Sequence, residues 1–418
     1  MQQRHRIIVL GAGYAGAIAA GRLAKRLSGA DVSITLVNAE ADFVERVRMH
    51  QVATGQELRH RPFSEMFAGT GVMVRLGRVT EVDVDAKTVT LTPDEVLPYD
   101  TLSPDEVLPY DTLTPDEVLP YDTLVYALGS RWNPGDVPGA AEHAHEIAGR
   151  PGALRLRERL TTLPAGRTLL VVGGGLTGVE AATEFAEARP DLRVALVTDG
   201  ALGDWLSPRG RAHLRKVFGR LRITVHEHTA VSAVAADHVT TAGAGTIPAD
   251  VTVWTTGFAV HPIAQATGVQ VTARGQIVVD HTMRSVSHPD VYAIGDAAMA
   301  MGPGDKPLRM SCASGTPMAW QAADTIAARL TGGKLPHAPL RYFNQCISLG
   351  RREGLIQYVT ADDRAVPAVL TGRIAAVYKE LVCRAAAWGV EHPTLALPTR
   401  RRRITRVGPA LSRATSGQ

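Results

Sequence analysis

Two short glycine-rich segments constrain the fold of this chain more than any other feature of its sequence. An apolar run at residues 7–10 ends in Gly11-Ala12-Gly13-Tyr14-Ala15-Gly16, and a helical pattern follows. The same order returns where an apolar run at residues 168–172 ends in Gly173-Gly174-Gly175-Leu176-Thr177-Gly178. In such a turn the first glycine permits a tight bend, the second lets the backbone approach a pyrophosphate, and the third lets the helix pack on the strand. We therefore predict two dinucleotide-binding β-α-β units.

The residue after each second strand bears on the bound nucleotide, because an acid about 20 residues after the turn normally hydrogen-bonds a ribose hydroxyl. The first unit has Asn38 there, a weaker partner, and Glu40 lies two residues on. The second unit has Asp199, whose charge would repel a 2′-phosphate. This favours NADH, and Arg209 or Arg211 on the next helix leaves NADPH as the alternative.

A third segment completes the pattern. Apolar residues 291–294 are followed by Gly295 and Asp296, and this carboxylate suits the hydroxyl groups of a cofactor. Gly315-Thr316-Pro317 then opens a predicted helix that runs to about residue 330, because proline fits the first helical turn. Trp320 in this helix is predicted to be a core residue, with a pocket wall as the alternative.

Composition narrows the class of protein. The chain has 418 residues, a net charge of +4 and 45% hydrophobic residues, enough for several domains with cores. Its three cysteines, at positions 312, 346 and 383, lack the spacing of a disulfide framework or a zinc site. No metal site is predicted, and no apolar stretch is long enough to predict a membrane span. We expect a multidomain cytoplasmic protein in which the cysteines are buried apolar fillers.

Residues 91–123 are three tandem copies of an 11-residue unit, LTPDEVLPYDT, in which Ser103 is the single departure. Two prolines per copy disfavour a helix and would interrupt a central strand. We interpret the segment as a surface hairpin or loop lengthened by duplication; an acidic arm that docks on a basic partner is the alternative. Two copies look dispensable to the fold, and the chain without them is distinctly basic.

Together these segments resemble the two-dinucleotide flavoproteins, the pyridine nucleotide-disulfide oxidoreductase superfamily, and are most similar to type II NADH dehydrogenases. The matching segments are GAGYAG, YDTLVYALGS at 121–130, VVGGGLTGVE at 171–180, VTVWTTGF at 251–258 and VYAIGDAA at 291–298. The resemblance implies an α/β fold of two Rossmann-like dinucleotide-binding domains with a small C-terminal α+β region. The implied FAD domain comprises residues 1–135 and 256–330, with the NAD(P)H domain, 136–255, inserted in it. Residues 331–391 would form an interface or membrane-contact region, and residues 392–418 a basic tail.

The resemblance also assigns site residues. A noncovalent FAD would be held by Gly11, Gly13, Tyr14, Ala15, Gly16, Asn38, Glu40, Ala127, Leu128, Gly129, Gly295, Asp296, Thr316 and Pro317. NADH would be held by Gly173, Gly175, Leu176, Thr177, Gly178, Glu180, Asp199, Thr256 and Gly257. Hydride transfer between these cofactors needs little from side chains. No side chain is therefore assigned as catalytic, and Glu180 and Gln321 are the candidates. A solvent-facing position is the alternative for Glu180.

Two departures from the family pattern bear on the electron acceptor. The redox cysteine pair of disulfide reductases is missing, since no cysteine precedes Cys312, so electrons should pass from flavin directly to the acceptor. Quinone-reducing relatives carry two glutamines spaced by four; here Pro317 replaces the first and Gln321 remains. Residues 46–50, with Arg46, Arg48 and His50, lie either near the flavin or on a surface helix.

The C-terminal region combines a predicted hairpin, with strands at 346–349 and 355–359, and a helix with an apolar stripe. The stripe comprises Ile374, Val377, Tyr378, Leu381, Val382, Ala385 and Trp388. Packing on the domain or in a homodimer is our first interpretation. A peripheral membrane anchor on the inner face of the membrane, assisted by the arginines at 400–403, is the alternative.

The leading hypothesis is an FAD-dependent NAD(P)H:acceptor oxidoreductase that reduces a quinone-like small molecule. No nucleic acid partner is expected. One alternative is a soluble flavin-dependent tailoring enzyme of a small molecule, which the changed glutamine site favours. Another is a non-catalytic nicotinamide-sensing flavoprotein that acts through the acidic repeat or the basic tail.

Overall fold

The computed structural model describes residues 3–92, 116–337, 339–394 and 401–405. Strands in the first part of the chain are β1 His5–Leu10, β2 Val32–Asn38, β3 Val72–Leu76, β4 Arg78–Asp83, β5 Thr88–Thr92, β6 Glu117–Pro120, β7 Thr123–Tyr126 and β8 Ser130–Trp132. They are followed by β9 Ala144–Glu146, β10 Thr168–Val172, β11 Arg193–Val197, β12 Thr224–His226, β13 Val231–Val234, β14 His238–Thr241, β15 Thr246–Pro248 and β16 Val251–Trp254. The last strands are β17 Phe258–Val260, β18 Ile277–Val278, β19 Val291–Ala293, β20 Ala298–Met299, β21 Met301–Gly302, β22 Lys306–Pro307, β23 Asn344–Ser348, β24 Gly354–Val359 and β25 Ala365–Thr371.

The helices separate these strands. The α-helices are α1 Tyr14–Arg26, α2 Met49–Ala53, α3 Phe63–Met66, α4 Ala140–His143, α5 Arg150–Thr162, α6 Leu176–Ala188, α7 Pro208–Arg220, α8 Ile263–Ala266, α9 Cys312–Thr331 and α10 Gly372–Glu391. Short 3-10 helices lie at Arg46–Arg48, Gly295–Ala297 and Pro303–Asp305.

The first sheet has five parallel strands in the order β19-β7-β1-β2-β3. Residues 7–10 of β1 are fully buried, as expected for a parallel strand covered on both faces. Helices α1 and α9 share one hydrophobic core with this sheet, and the antiparallel sheet β4-β5-β6 contributes Val79, Val89 and Leu91 to the same core.

The second sheet has five parallel strands in the order β12-β11-β10-β16-β9. Helices α5, α6 and α7 pack on one face, and the antiparallel sheet β13-β14-β15 packs on the other. After the second sheet is complete, the chain returns to the first sheet as β19. Strands β8 and β17 lie on the two segments that connect the sheets, and they pair antiparallel. The α/β class with two Rossmann-like sheets is confirmed.

The C-terminal region consists of the antiparallel sheet β23-β24-β25 and helix α10. Gly354 lets β24 approach the helix, since a Cβ there would lie 2.7 Å from the backbone nitrogen of Ala376. The buried face of α10 carries Ala375, Cys383, Ala387 and Val390. The predicted apolar stripe therefore lies on the opposite, exposed face. The prediction that it packs on the domain is wrong, and its packing in a homodimer stays a prediction. Ala375 faces the sheet at the close approach to Gly354, whereas Ala387 and Val390 pack into the core of the first sheet.

The described part of the basic tail pairs with the first sheet's helix instead of extending from the protein. The backbone of Arg402 bonds to Arg26 and Ser28 beyond the end of α1, with N–O distances of 2.9 Å. Arg403 forms an ion pair with Asp31 at 2.6 Å. Residues 395–400 and 406–418, which hold the other tail arginines except Arg401, lie outside the described residues.

The tandem repeat joins two paired strands. Residues 93–115 lie outside the described residues, but the first copy contributes Leu91 and Thr92 to β5 and the third contributes β6, which pairs antiparallel with β5. Within the third copy, Tyr121 is buried and Asp122 forms an ion pair with Arg6 at 2.8 Å. The flanking structure is therefore that of a hairpin, and the described residues of the repeat are the first two of the first copy and the last eight of the third.

We expect removal of residues 93–114, which restores a single LTPDEVLPYDT copy, to leave the fold intact. The shorter connection costs less chain entropy to close, so the free energy of unfolding should stay the same or rise by up to about 2 kcal/mol. Thermal unfolding followed by circular dichroism measures this, with removal of residues 104–114 as the intermediate control. A lowered melting temperature in both deletions would show that the extra copies stabilise the fold.

Candidate functional site

The first glycine turn, residues 11–16, is shaped by close backbone contacts and one open position. A Cβ on Gly16 would lie 1.8 Å from the carbonyl oxygen of Gly11, and one on Gly11 would lie 2.5 Å from the carbonyl oxygen of Ala127. A Cβ on Gly13 would meet nothing within 4 Å. No side chain caps the N-terminus of α1. Open backbone and uncapped N–H groups at this position suit an anionic phosphate group.

Asn38 braces this turn. Its Oδ1 accepts a hydrogen bond from the backbone N–H of Ala12 at 2.9 Å, and its Nδ2 donates to the carbonyl oxygen of Glu40 at 2.8 Å. The predicted hydrogen bond from Asn38 to a ribose would compete with these contacts. The side chain of Glu40 is exposed and stays the better candidate for that role.

Asp296 lies where the first glycine turn, the segment after β7 and helix α9 meet. Its Oδ2 accepts a hydrogen bond from the hydroxyl of Ser130 at 2.6 Å. A Cβ on the neighbouring Gly295 would lie 3.3 Å from the Cβ of Ala15. Sequence reasoning assigned Ala127, Leu128 and Gly129 but missed Ser130, although the matching segment ends on it.

Helix α9 begins at Cys312, four residues before the predicted start at Thr316. Thr316 and Pro317 therefore lie in the second turn of the helix and not at its N-terminus. Gly315 packs on the first site, since a Cβ there would lie 3.6 Å from both the Cβ of Ala15 and the Cα of Gly295. The first turn of α9 therefore borders the site through Gly315.

The second glycine turn, residues 173–178, lines a cleft of about 380 Å³. The lining residues are Gly173, Gly174, Gly175, Leu176, Thr177, Thr198, Asp199, Gly200, Ala201, Asp204, Trp205, Thr255, Thr256, Gly257 and Phe258. A Cβ on Gly174 would lie 2.4 Å from the hydroxyl of Thr198, whereas one on Gly175 would meet nothing within 4 Å. The cleft brings together most predicted residues of the second site, and sequence reasoning missed Trp205 and Phe258.

The charge of this cleft is negative. Asp199 and Asp204 line it, and none of its described lining residues is Lys or Arg. Arg211 is held by the preceding loop, where it donates to the carbonyl oxygens of Gly203 at 3.1 Å and Asp204 at 2.9 Å. This arrangement gives a 2′-phosphate no cationic partner from the lining.

Glu180 is buried, and its predicted alternative position facing solvent is wrong. Its Oε1 accepts hydrogen bonds from the backbone N–H of Ser348 at 2.9 Å and from Nζ of Lys379 at 3.0 Å. Burial is the largest influence and by itself would lower the pKa of Lys379, but the charge and the hydrogen bond of Glu180, together with the neighbouring Cys383 and Cys312, raise it above its usual range. Lys379 is therefore a cation throughout the neutral pH range. Because Lys379 lies far from Glu180 in the chain, the sequence gave no indication of this pairing.

All three cysteines lie close enough to Lys379 for its charge to act on their thiols. Burial raises the pKa of Cys346 to about 11 and raises the pKa of Cys383 as well. These thiols are protonated at neutral pH and are weak nucleophiles. Cys383 is buried as predicted and Cys346 is half-buried, but Cys312 is exposed, so the prediction of a buried apolar filler is wrong for Cys312. Among the described residues no cluster has the donors of a metal site.

The segment around Arg48 is interior and not a surface helix. Arg48 is 6% exposed and forms ion pairs with Glu45 at 3.1 Å and Glu380 at 2.9 Å. Arg46 donates to the carbonyl oxygen of Ala148 at 2.8 Å. His50 is 4% exposed, and burial lowers its pKa to about 4.

Gln321 and Trp320 do not join the buried side chains described above, which include Arg48, His50, Glu180 and Lys379. Gln321 donates to the carbonyl oxygen of His281 at 2.7 Å, and it follows Cys312 by nine helical residues, or about 13 Å of helix. The structure does not bring Gln321 to Glu180. Trp320 is 47% exposed, so its prediction as a core residue is wrong.

We expect replacement of His50 by Leu to make stability less sensitive to acid. The unfolded chain binds a proton on His50 below about pH 6.5, whereas the folded protein does so only near pH 4, so stability falls as pH drops through this window. The loss at pH 4 should be about 3 kcal/mol for this residue. Urea unfolding at pH 7.5 and pH 4.5 measures it, with His143→Leu, at an exposed histidine, as the control. Equal acid sensitivity of His50→Leu and the parent protein would contradict the prediction.

Comparisons with known proteins agree with this geometry. The family described as pyridine nucleotide-disulphide oxidoreductase matches residues 5–327. The chain is 25% identical to the NADH dehydrogenase-like protein Rv1812c of Mycobacterium tuberculosis, covering 82% of this chain and 86% of that protein. It is 24% identical to demethylphylloquinone reductase NdbB of Synechocystis, covering 90% and 92%.

Solved structures share the fold. NDH2 from Plasmodium falciparum in complex with NADH has a TM-score of 0.74 at 15% identity and covers 95% of this chain and 99% of its own. The sulfide:quinone oxidoreductase of Aquifex aeolicus has a TM-score of 0.76 at 17% identity and covers 94% and 93%. Since the family match spans well over half of the chain and includes both glycine turns, this chain is an oxidoreductase that belongs to the pyridine nucleotide-disulphide oxidoreductase family.

Proposed function

We propose that this chain is an FAD-dependent NADH:acceptor oxidoreductase that reduces a quinone. The observation that carries the proposal is the junction between the two nucleotide-type sites. Strand β8 begins at Ser130, which donates to Asp296 of the first site, and it pairs with β17, whose first residue, Phe258, lines the cleft of the second site. Reactive ends of two bound dinucleotides would meet at this junction.

Residues of the first site fit FAD. Gly13 and the uncapped start of α1 would bind the pyrophosphate, and Asp296, held by Ser130, would accept hydrogen bonds from the ribityl hydroxyls. We propose that residues 1–135 and 256–330 form the FAD domain and residues 136–255 the NADH domain. The bound flavin would take hydride from reduced nicotinamide and supply electrons to the acceptor.

Residues of the second site fit NADH. Gly175 would bind the pyrophosphate at the N-terminus of α6, and Asp199 would accept a hydrogen bond from a ribose hydroxyl. The negative lining of the cleft disfavours the extra phosphate of NADPH. Glu180, paired with Lys379 at 3.0 Å, would position the nicotinamide end of the nucleotide.

The acceptor is proposed from the relatives. Proteins similar in sequence include a demethylphylloquinone reductase and a type II NADH:quinone oxidoreductase of Mycobacterium tuberculosis. One observation favours a second candidate, a flavin-dependent tailoring enzyme of a different small molecule. Gln321, the remaining glutamine of the quinone pattern, is engaged with His281 and lies far along α9.

Rapid-reaction measurements test this function. We expect NADH to bleach the bound flavin at 450 nm much faster than NADPH does, and a soluble naphthoquinone to restore the colour within the turnover time. Asp199→Asn should narrow the difference between NADH and NADPH, since it removes the charge that repels a 2′-phosphate. Asp250→Asn, at an acid outside the cleft, serves as the control.

Three results would contradict the proposal. A preference for NADPH would exclude the assigned nucleotide, and failure of the purified protein to retain FAD would exclude the cofactor. A reduced flavin that reacts with no quinone, but with another small molecule, would support the tailoring enzyme.

We also propose that α10 contacts a membrane surface. Ile374, Val377 and Leu381 are each more than half exposed and lie on one face of the helix. Among the described residues, no helix is both long and apolar enough to cross a bilayer. An amphipathic helix with its apolar face outward is suited to lie in the interface plane of a bilayer. A homodimer that covers the same face is the competing explanation.

Vesicle flotation distinguishes these explanations. The double variant Ile374→Asp and Leu381→Asp should lose binding to vesicles that contain phosphatidylglycerol by at least tenfold, because two aliphatic side chains no longer enter the bilayer. The matched control, Val118→Asp with Val286→Asp, changes two exposed valines elsewhere. A parent protein that stays unbound, and a double variant that changes from dimer to monomer in light scattering, would favour the homodimer.

A further inference from the structure

A surface cavity of about 360 Å³ lies where the C-terminal region meets the helices of the second sheet. Its charged lining comes from the ends of α6 and α7, the β23–β24 turn and the start of α10, and consists of Glu187, Arg220, Arg352, Glu353 and Arg373. The cavity is nearly as large as the cleft at the second glycine turn and has none of its lining residues in common with that cleft. It is therefore a separate concave site of a size that suits a small molecule.

The two acids of this cavity already have partners. Glu353 forms an ion pair with Arg220 at 3.0 Å, and its other carboxylate oxygen lies 3.3 Å from Nε2 of His213. Glu187 accepts a hydrogen bond from the backbone N–H of Arg351 at 2.5 Å. Because Glu353 and Arg220 offset each other, the lining keeps two positive charges, on Arg352 and Arg373, against one negative charge.

Arg352 and Arg373 lack partners of their own. Among the described residues, neither side chain has an ion pair or a hydrogen bond, and both are exposed at the cavity. Two guanidinium groups at one cavity repel each other, and a concave wall with excess positive charge concentrates anions. Each guanidinium also presents N–H donors in a planar fork that matches the oxygens of a phosphate or a carboxylate.

The turn that carries Arg352 is held in place by α6. Gly350, at φ +96°, lies so close to this helix that a Cβ would be 2.1 Å from a carboxylate oxygen of Glu187. The next residue, Arg351, forms an ion pair with Glu184 at 3.2 Å. These contacts fix the backbone on both sides of the turn before a ligand binds, and a fixed binding group loses less conformational entropy on binding.

The rest of the lining is apolar. Leu349 is 1% exposed and belongs to the core of the second sheet, and the half-buried Leu221 packs against the same core. An anion without an apolar part would use only the arginines. A molecule with a charged end and a short apolar body would contact both parts of the wall.

We propose that this cavity binds a small molecule that carries a doubly charged group, a phosphate ester or a dicarboxylate, on a short apolar body. Arg352 and Arg373 would donate charge-assisted hydrogen bonds to the anionic oxygens, and Leu221 and Leu349 would contact the body. The site uses no residue assigned to FAD or NADH and therefore goes beyond the proposed function.

Position gives this site a consequence for the rest of the protein. Arg352 and Arg373 belong to the C-terminal region, whereas Leu221 follows α7 of the second sheet. A bound molecule would link these two parts. The same two parts are joined in the interior by Glu180 on α6 and Lys379 on α10, so the ligand would add a second, reversible link at the surface.

Calorimetry with the purified full chain tests the site, with phenyl phosphate and phenylsuccinate as probes at constant ionic strength. The probes carry the same ring, so the one that binds more tightly identifies the anionic group, and an excess of NAD⁺ keeps both from the second glycine turn. The double variant Arg352→Gln with Arg373→Gln should raise the Kd of that probe about tenfold or more, because charge-assisted hydrogen bonds are lost. The matched control, Arg193→Gln with Arg274→Gln, removes the same charge at two other exposed arginines and should keep the Kd of the parent protein.

Melting temperatures supply a second readout. The probe should raise the melting temperature of the parent and the control but not of the Arg352 and Arg373 double variant, because a ligand of the folded state stabilises it. Failure of the parent to bind either probe, or an equal Kd in the parent and this double variant, would overturn the site. A lower melting temperature of this double variant without a probe would also overturn it, since the arginines would then act on the fold. Reduction of the flavin by NADH is measured separately, so each of these results leaves the proposed function standing.

Discussion

The buried ion pair of Glu180 and Lys379 is the interaction on which the arrangement of the site depends. Glu180 follows the second glycine turn, and a carboxylate in that position is costly to bury without a cation. The cation comes from α10, near the C-terminus, at 3.0 Å. The pair therefore couples the second sheet to the C-terminal region, and the N–H of Ser348 adds a second contact to the same oxygen. Removing either partner would leave an uncompensated charge in the interior.

The same coupling explains why three distant cysteines meet. Cys383 follows Lys379 by one helical turn, Cys346 lies on the strand that α10 packs against, and Cys312 begins α9 at the edge of the first site. Cys346 and Cys383 lack the low pKa of a redox thiol, because burial opposes ionisation more strongly than Lys379 favours it. The cysteines therefore form an uncharged, weakly polar surface and not a thiol relay. This agrees with the absence of the cysteine pair that disulfide reductases carry.

Chain topology places the two nucleotide-type sites side by side. The second sheet is formed by residues that lie between β7 and β19, two strands of the first sheet. The chain therefore passes twice between the sheets, and the antiparallel pair β8–β17 holds the two connecting segments together. Ser130 begins β8 and donates to Asp296, which follows β19. The crossing therefore also orients a carboxylate of the first site. At the opposite end of the chain, Arg403 and Asp31 attach the tail to the same half of the molecule.

The sequence by itself determined the two glycine turns, the parallel strands around them and the segment ending in Asp296, because these depend on local backbone geometry and on runs of apolar residues. It also predicted a hairpin at the repeat and a helix from about residue 374. Tertiary structure alone decided that Asn38 braces a turn, that Glu180 is buried against Lys379, and that the apolar stripe of α10 faces outward. Those outcomes depend on contacts between residues far apart in the chain. Helical periodicity reveals that a face is apolar, but only packing decides which face a neighbouring sheet covers.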